Sequence, residues 1–400
     1  MIDVAPPSPG PVTQAAAWPA VFATTLGIFG IVGAEFLPAS LLTPMARDLQ
    51  VSEGLAGQAV TVTAAAGLVA SLLTSVACGR IDRRKVLVSL TSLLIVSNLL
   101  VALASSLTAV MLARVLLGIA LGGFWSLSAA TMMRLVPESD VPKALSILFA
   151  GVSAATVCAA PFGSFFGDIF GWRVVFMAAA GLGAVAIGAQ LLTLPSMPCE
   201  EPARLRTLTG LLGRPGVALG MLALLLVFAG HFAFFTYLRP FLETVTELGP
   251  RGVTAVLLMF GIGSFVGNSL STTLIERSMR MTLAAMPLVL AAAAALLATI
   301  GGTVTGDTVI VTIWGVVFGI IPVSWSTWVT RVVPDEAESG GGLLVATCNL
   351  AITIGAAGGG WILDAYGARI EFLVSAAVLG LAFLLALVVS PDRSARPSVV

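Results

Sequence analysis

Charge is scarce in this 400-residue chain: Asp, Glu, Lys and Arg together make up 10% of it, against about 25% in a soluble domain. Histidine occurs once, tyrosine twice and cysteine four times. No H-E-x-x-H pair and no His/Cys cluster at ligand spacing is present, so a metal site has no candidate. The lone His231 has no serine elbow to serve, which leaves hydrolysis without a triad. Cys78, Cys158, Cys199 and Cys348 are scattered and form no C-x-x-C pair; they read as packing or loop thiols. A G-x-x-x-x-G-K-[ST] loop is missing, which argues against an ATP-driven pump. Acidic and basic residues balance at 20 each, so nothing favours nucleic acid as a partner. Nothing here argues for an enzyme or calls for a cofactor.

What is there is apolar. The chain is 58% hydrophobic with a mean hydropathy of +1.04, more than one soluble core can hide. It reads as an all-α, multi-pass membrane protein. Residues 1–17, rich in Pro and Ala and free of Lys and Arg, lack the basic start of a cleaved signal and are expected to form a disordered cytoplasmic tail. Apolar runs long enough to cross about 30 Å of lipid recur twelve times, at 18–45, 56–79, 86–105, 108–132, 143–167, 172–194, 216–238, 252–275, 281–301, 308–330, 340–363 and 370–390. With the N-terminus inside, the inner loops hold 14 basic residues and the outer loops 5. The positive-inside rule thus predicts cytoplasmic termini.

An internal repeat divides the chain. Arg134-Leu-Val-Pro137-Glu138 returns as Arg331-Val-Val-Pro334-Asp335, 197 residues on. Asp168-x-x-Gly171-x-Arg173-x-x-Phe176 returns as Asp364-x-x-Gly367-x-Arg369-x-x-Phe372, 196 residues on. Two signatures at nearly one offset predict two six-helix halves, 18–194 and 216–390, in the same topology. The polar stretch 195–215 is the cytoplasmic linker between them, and 391–400 a cytoplasmic tail.

The first span ends in Gly33-Ala-Glu-Phe-Leu-Pro-Ala-Ser-Leu-Leu-Thr-Pro-Met45, which sets the carboxylate of Glu35 among lipid-soluble neighbours. An acid at that depth needs a partner or a proton. Pro38 and Pro44 weaken the helix there. Counted along the helices at about 1.5 Å per residue, Glu35 and Arg114 both lie toward the outer ends of their spans, so the two can meet. The couple serves either proton exchange or a static ion pair.

Halves of this kind resemble the major facilitator superfamily. Gly79-Arg-Ile-Asp82-Arg83-Arg84-Lys85 is similar to that family's loop between helices two and three, shortened by a glycine. The resemblance implies a cytoplasmic gate at Gly79, Asp82, Arg83 and Arg84, although the bases alone would also set orientation. Arg114-Val-Leu-Leu-Gly118 resembles the family's helix four, implying proton coupling through Arg114 and Glu35. Ala160-Pro161-Phe-Gly163 resembles the fifth helix of its antiporters.

The runs 35–49, 121–137, 232–240 and 323–331 resemble the drug:proton antiporter branch. What they imply is export of inosine- or guanosine-like purine ribonucleosides across a bacterial inner membrane, driven by protons, by a monomer. Trp125, Phe235, Tyr237, Trp325 and Trp328 would stack on the base, and Asn268 and Asn349 would bond its edges or the ribose. Packing explains membrane aromatics equally well. His231 is either a hydrogen bonder facing the ligand or a buried neutral ring bonded to a backbone carbonyl. The alternatives in function are an exporter of sugars or amphipathic drugs, and an uncoupled facilitator.

Overall fold

The computed structural model describes residues 16–77, 81–198, 210–214 and 216–389. Gly79, most of the linker and nearly all of both tails lie outside the described residues. The first half comprises α1 (Trp18–Ser40), α2 (Leu42–Leu49), α3 (Glu53–Ala77), α4 (Arg83–Leu103), α5 (Leu107–Leu135), α6 (Val141–Phe170) and α7 (Trp172–Thr193). The second comprises α8 (Val217–Thr236), α9 (Leu238–Thr244), α10 (Pro250–Ile300), α11 (Val304–Val332), α12 (Ala337–Tyr366) and α13 (Ala368–Val388).

Eleven of these helices are long and apolar enough to cross a bilayer. The longest, α10, has 51 residues, about 77 Å at 1.5 Å per residue. That is far beyond one crossing. Ser278, at φ −168° and ψ 103°, breaks it, and with the parts 250–277 and 279–300 counted separately the described residues hold twelve crossings. The apolar runs predict that number.

Packing repeats between the halves. In the first, α3 lies on α5, α1 on α6 and α4 on α7; in the second, α10 lies on α11, α8 on α12, and the end of α10 on α13. Gly118 and Gly122 of α5 press against the backbone of Thr63 and Gly67 in α3. Gly315 and Gly319 of α11, 197 residues on, press against Phe260 and Ser264 in α10. Lipid supplies no hydrophobic drive between helices, so close backbone approach at small residues holds such pairs. The halves meet along α3/α12 and α6/α10.

Each residue of the second repeat signature has a physical task. Gly171 and Gly367 turn between helices at φ +85° and +82° with extended ψ, a region essentially confined to glycine. Arg173 donates to Ala104 O at 3.0 Å, and Arg369 to Ala298 O and Gly301 O at 2.8 and 2.9 Å. Both guanidiniums thus satisfy the end carbonyls of an earlier helix. Phe176 and Phe372 are fully buried. The aspartates reach the opposite half, as described below.

The first span, predicted as one run over 18–45, is interrupted at Leu41 (φ −108°, ψ 12°). Tyr237, 196 residues on, interrupts the α8–α9 run at φ −110° and ψ 14°. This matched break exposes a third repeated signature. Glu35-Phe36-x5-Leu42-x-Pro44 aligns with His231-Phe232-x5-Leu238-x-Pro240.

Candidate functional site

Pro38 lies inside α1 and has no N–H, so the Ala34 carbonyl four residues earlier loses its intrahelical donor. Arg114 of α5 supplies the replacement. Its Nη1 donates to Ala34 O at 2.9 Å, its Nη2 to Glu35 O at 3.4 Å and its Nε to Thr63 Oγ1 at 2.9 Å. The guanidinium is fully buried and held by neutral acceptors.

Glu35 and Arg114 therefore meet, but through backbone. The Glu35 carboxylate makes no ion pair within 4.0 Å among the described residues. Arg114's donors are already engaged by the freed Ala34 carbonyl, the Glu35 carbonyl and the Thr63 hydroxyl. The half-buried carboxyl lies within electrostatic reach of Arg114 and of Cys348 on α12 in the other half.

At the equivalent place in the second half, His231 is fully buried in an aromatic group. Its ring stacks on Phe318 at 3.6 Å with 4° between planes, and lies 5.5 Å from Phe235 and 6.3 Å from Phe260. Trp314 Nε1 of α11 donates to His231 Nδ1 at 2.9 Å. An accepting Nδ1 fixes the neutral tautomer with hydrogen on Nε2. The ring is thus neutral, with an indole rather than a carbonyl as its partner. Phe36 of α1 joins the halves here, stacked on Phe232 at 6.3 Å and edge-on to Phe235 at 5.7 Å.

Sequence and structure comparisons place this architecture. The model of the Major Facilitator Superfamily matches residues 17–356. The chain belongs to that superfamily. It is 48% identical over 380 residues to the purine ribonucleoside efflux pump NepI of Salmonella paratyphi B, covering 95% of each protein. It is 47% identical over 368 residues to the pump of the same name from Escherichia coli K12, covering 92% of this chain and 93% of that one. Among solved structures, a bacterial homolog of the human lysosomal transporter Spinster aligns in its inward-facing, unoccupied conformation with a TM-score of 0.79. That alignment is at 15% identity and covers 94% of this chain and 97% of that one. Its inward-facing, occupied form aligns at 0.76.

Within this superfamily fold, the remaining sequence-predicted residues fall in different places. Phe235 joins the aromatic group around His231. Trp125 is half-buried and pairs with Phe149 inside the first half, 6.3 Å away. Trp325 and Trp328 are buried against each other at 5.4 Å, with Trp328 packed over Gly220; they are wedged in the second half. Tyr237 is fully buried and donates to Ala356 O at 2.7 Å. It lies against Gly57 of the first half and Gly359 and Gly360 of the second. These three rings fill helix contacts, so packing describes them better than stacking on a ligand. Asn268 is half-buried. Asn349 donates to Val345 O at 3.0 Å while its buried Oδ1, beside Gly67 of the other half, has no partner.

Asp82 does not reach across the halves. It caps α4 by accepting from Arg84 N–H at 2.9 Å, and it accepts from Met197 N–H at 3.0 Å and from the Ser196 hydroxyl. Burial pushes its carboxyl upward, but those three hydrogen bonds and the Lys85 charge outweigh it and hold the group below the ordinary carboxylate range. Arg84 donates to Leu191 O at 2.7 Å. Arg83, whose buried Nε and Nη1 lack partners, begins α4, and its N–H donates to Met197 O at 3.0 Å. Asp82 thus fastens the first half to the start of the linker, and Arg84 ties α4 to the end of α7; neither latches half to half.

The ties between halves lie at the other end, and sequence reasoning missed them. Arg239 of α9, 3% exposed, donates to Ser40 O at 2.6 Å and pairs with Asp168 at 2.9 Å and Glu243 at 2.7 Å. Thr254 donates to Ser164 at 2.9 Å. On the opposite seam, Asp364 accepts from Ser52 Oγ at 2.5 Å and Gly54 N–H at 3.0 Å. Both repeat aspartates therefore hold the opposite half. At the end bearing the basic loops, the polar side-chain ties among the described residues stay within a half or run to the linker. The signal for this latch is the repeat itself, whose Asp has no task inside its own helix.

Proposed function

We propose that the protein exports purine ribonucleosides from the cytoplasm by alternating access, each export cycle carrying a proton inward through Glu35. The substrate class is supported by the pumps to which the chain is 47% and 48% identical over nearly its full length. The coupling is supported by one observation: a Glu35 carboxyl without an ion pair beside an Arg114 held by carbonyls. A carboxyl in lipid-soluble surroundings that lacks an ion pair is stable when protonated.

In this reading the basic loops face the cytoplasm, and the ties at Arg239 and Asp364 close the external end. The molecule is then in the state that collects substrate and discharges its proton. Loss of the proton leaves an anion facing Arg114, which draws the carboxylate toward the guanidinium. Substrate and anion together favour the outward-facing state. There the substrate leaves, and an external proton on Glu35 returns the cycle to its start.

Glu35→Gln mimics the protonated form and tests the step in proteoliposomes. Gradient-driven inosine transport is expected to be lost while inosine binding to the purified variant persists. Full gradient-driven transport by Glu35→Gln would overturn the proton role, and transport of drugs or sugars with no inosine would overturn the substrate class.

A further inference from the structure

The third repeated signature places His231 where the first half has Glu35. The correspondence extends to the partner helices. Arg114 of α5 binds α1 at Ala34 and Glu35, and Trp314 of α11 binds α8 at His231. The helix pairs α1/α5 and α8/α11 are repeat-related, so one device recurs in two chemistries. One half carries an acid beside a cation; the other carries a neutral imidazole held by an indole.

We propose that the two halves divide the work, with Glu35 handling the proton and the His231–Trp314 pair reading the substrate's base. This rests on the purine ribonucleoside reading above. The Trp314 N–H occupies Nδ1, so Nε2 carries the hydrogen and offers a donor of fixed direction. That donor is fully buried and has no partner. Buried polar groups are nearly always paired, so an orphan donor among aromatic rings marks a place for a missing acceptor. The rings of Phe232, Phe235 and Phe318 beside it suit a flat aromatic ligand. An oxopurine presents two acceptors on one edge, O6 and N7. His231 is therefore the specificity-determining residue for bases that carry an acceptor on that edge.

The test compares transport of inosine with that of 7-deazapurine riboside, which lacks both O6 and N7. Reading the ratio within each variant removes any difference in protein amount. The unsubstituted protein is expected to favour inosine about tenfold or more, because a site built to bond a polar group rejects the analogue lacking it. His231→Phe keeps a flat ring without a donor, and its ratio is expected to fall to near one. The double variant His231→Phe with Trp314→Phe replaces both partners by apolar rings, protects against a folding defect and is expected to give the same low ratio. His231→Gln retains an N–H donor and is expected to recover part of the preference. A wild-type ratio in His231→Phe, or no preference in the unsubstituted protein, overturns the inference alone. No inosine transport at all overturns the nucleoside reading and this inference with it.

Discussion

Pro38 shows how one missing hydrogen organises a site. Without its N–H, the Ala34 carbonyl turns to Arg114 Nη1 at 2.9 Å, and the backbone beside Glu35 becomes the seat of a buried cation. Pro38→Ala restores an intrahelical donor to that carbonyl and competes with the guanidinium. A hydrogen bond to a charged group is worth about 1.5–3 kcal/mol, which corresponds to tenfold or more in rate. Gradient-driven transport by Pro38→Ala is expected to drop about tenfold with thermal stability kept or raised, since an interior proline disfavours helix. Wild-type transport by this variant would show that the carbonyl contact is incidental. The sequence marked Glu35, Pro38 and Arg114 as one neighbourhood because depth can be counted along a helix. It did not reveal that the carbonyls, not the carboxylate, would hold the arginine, because backbone acceptors leave no letter in the sequence.

Among the elements, helix ends carry the news. The positions of the twelve crossings were legible from apolar runs, and the two halves from the signatures around Arg134 and Asp168. The third signature was hidden, because Glu35 and His231 are unlike as letters; the matched breaks at Leu41 and Tyr237 reveal it. The short helix α9 was also hidden, for its apolar residues continue those of α8. Yet α9 carries Arg239, whose buried charge joins Ser40 and Asp168 across the halves. Removing one partner of a buried ion pair costs about 3–5 kcal/mol because the other charge is stranded. In Arg239→Gln that penalty falls on the closed external end. The expected result is reaction of a cysteine placed at the buried Ser164 with an impermeant maleimide added outside. The same cysteine should stay protected when Arg239 is intact. Equal protection in both backgrounds would mean that the arginine is not a latch.

The whole molecule is two copies of one six-helix design that have kept the frame and diverged at its centre. Glycine turns, arginine caps, aspartate latches and glycine-packed helix pairs recur at an offset of 196 or 197 residues, so the two halves can rock as similar rigid bodies. Inequality sits in the middle, where an acid stands in one half and an imidazole in the other. Superfamily membership accounts for the frame, and in the proposed reading the centre sets what is carried and what drives it. The most direct test of proton-driven nucleoside export is uptake of labelled inosine into inside-out membrane vesicles containing the protein, energised and then treated with a protonophore. The account predicts uptake that collapses when the proton gradient does. Inosine uptake indifferent to the gradient would contradict it, leaving a facilitator in which Glu35 is structural.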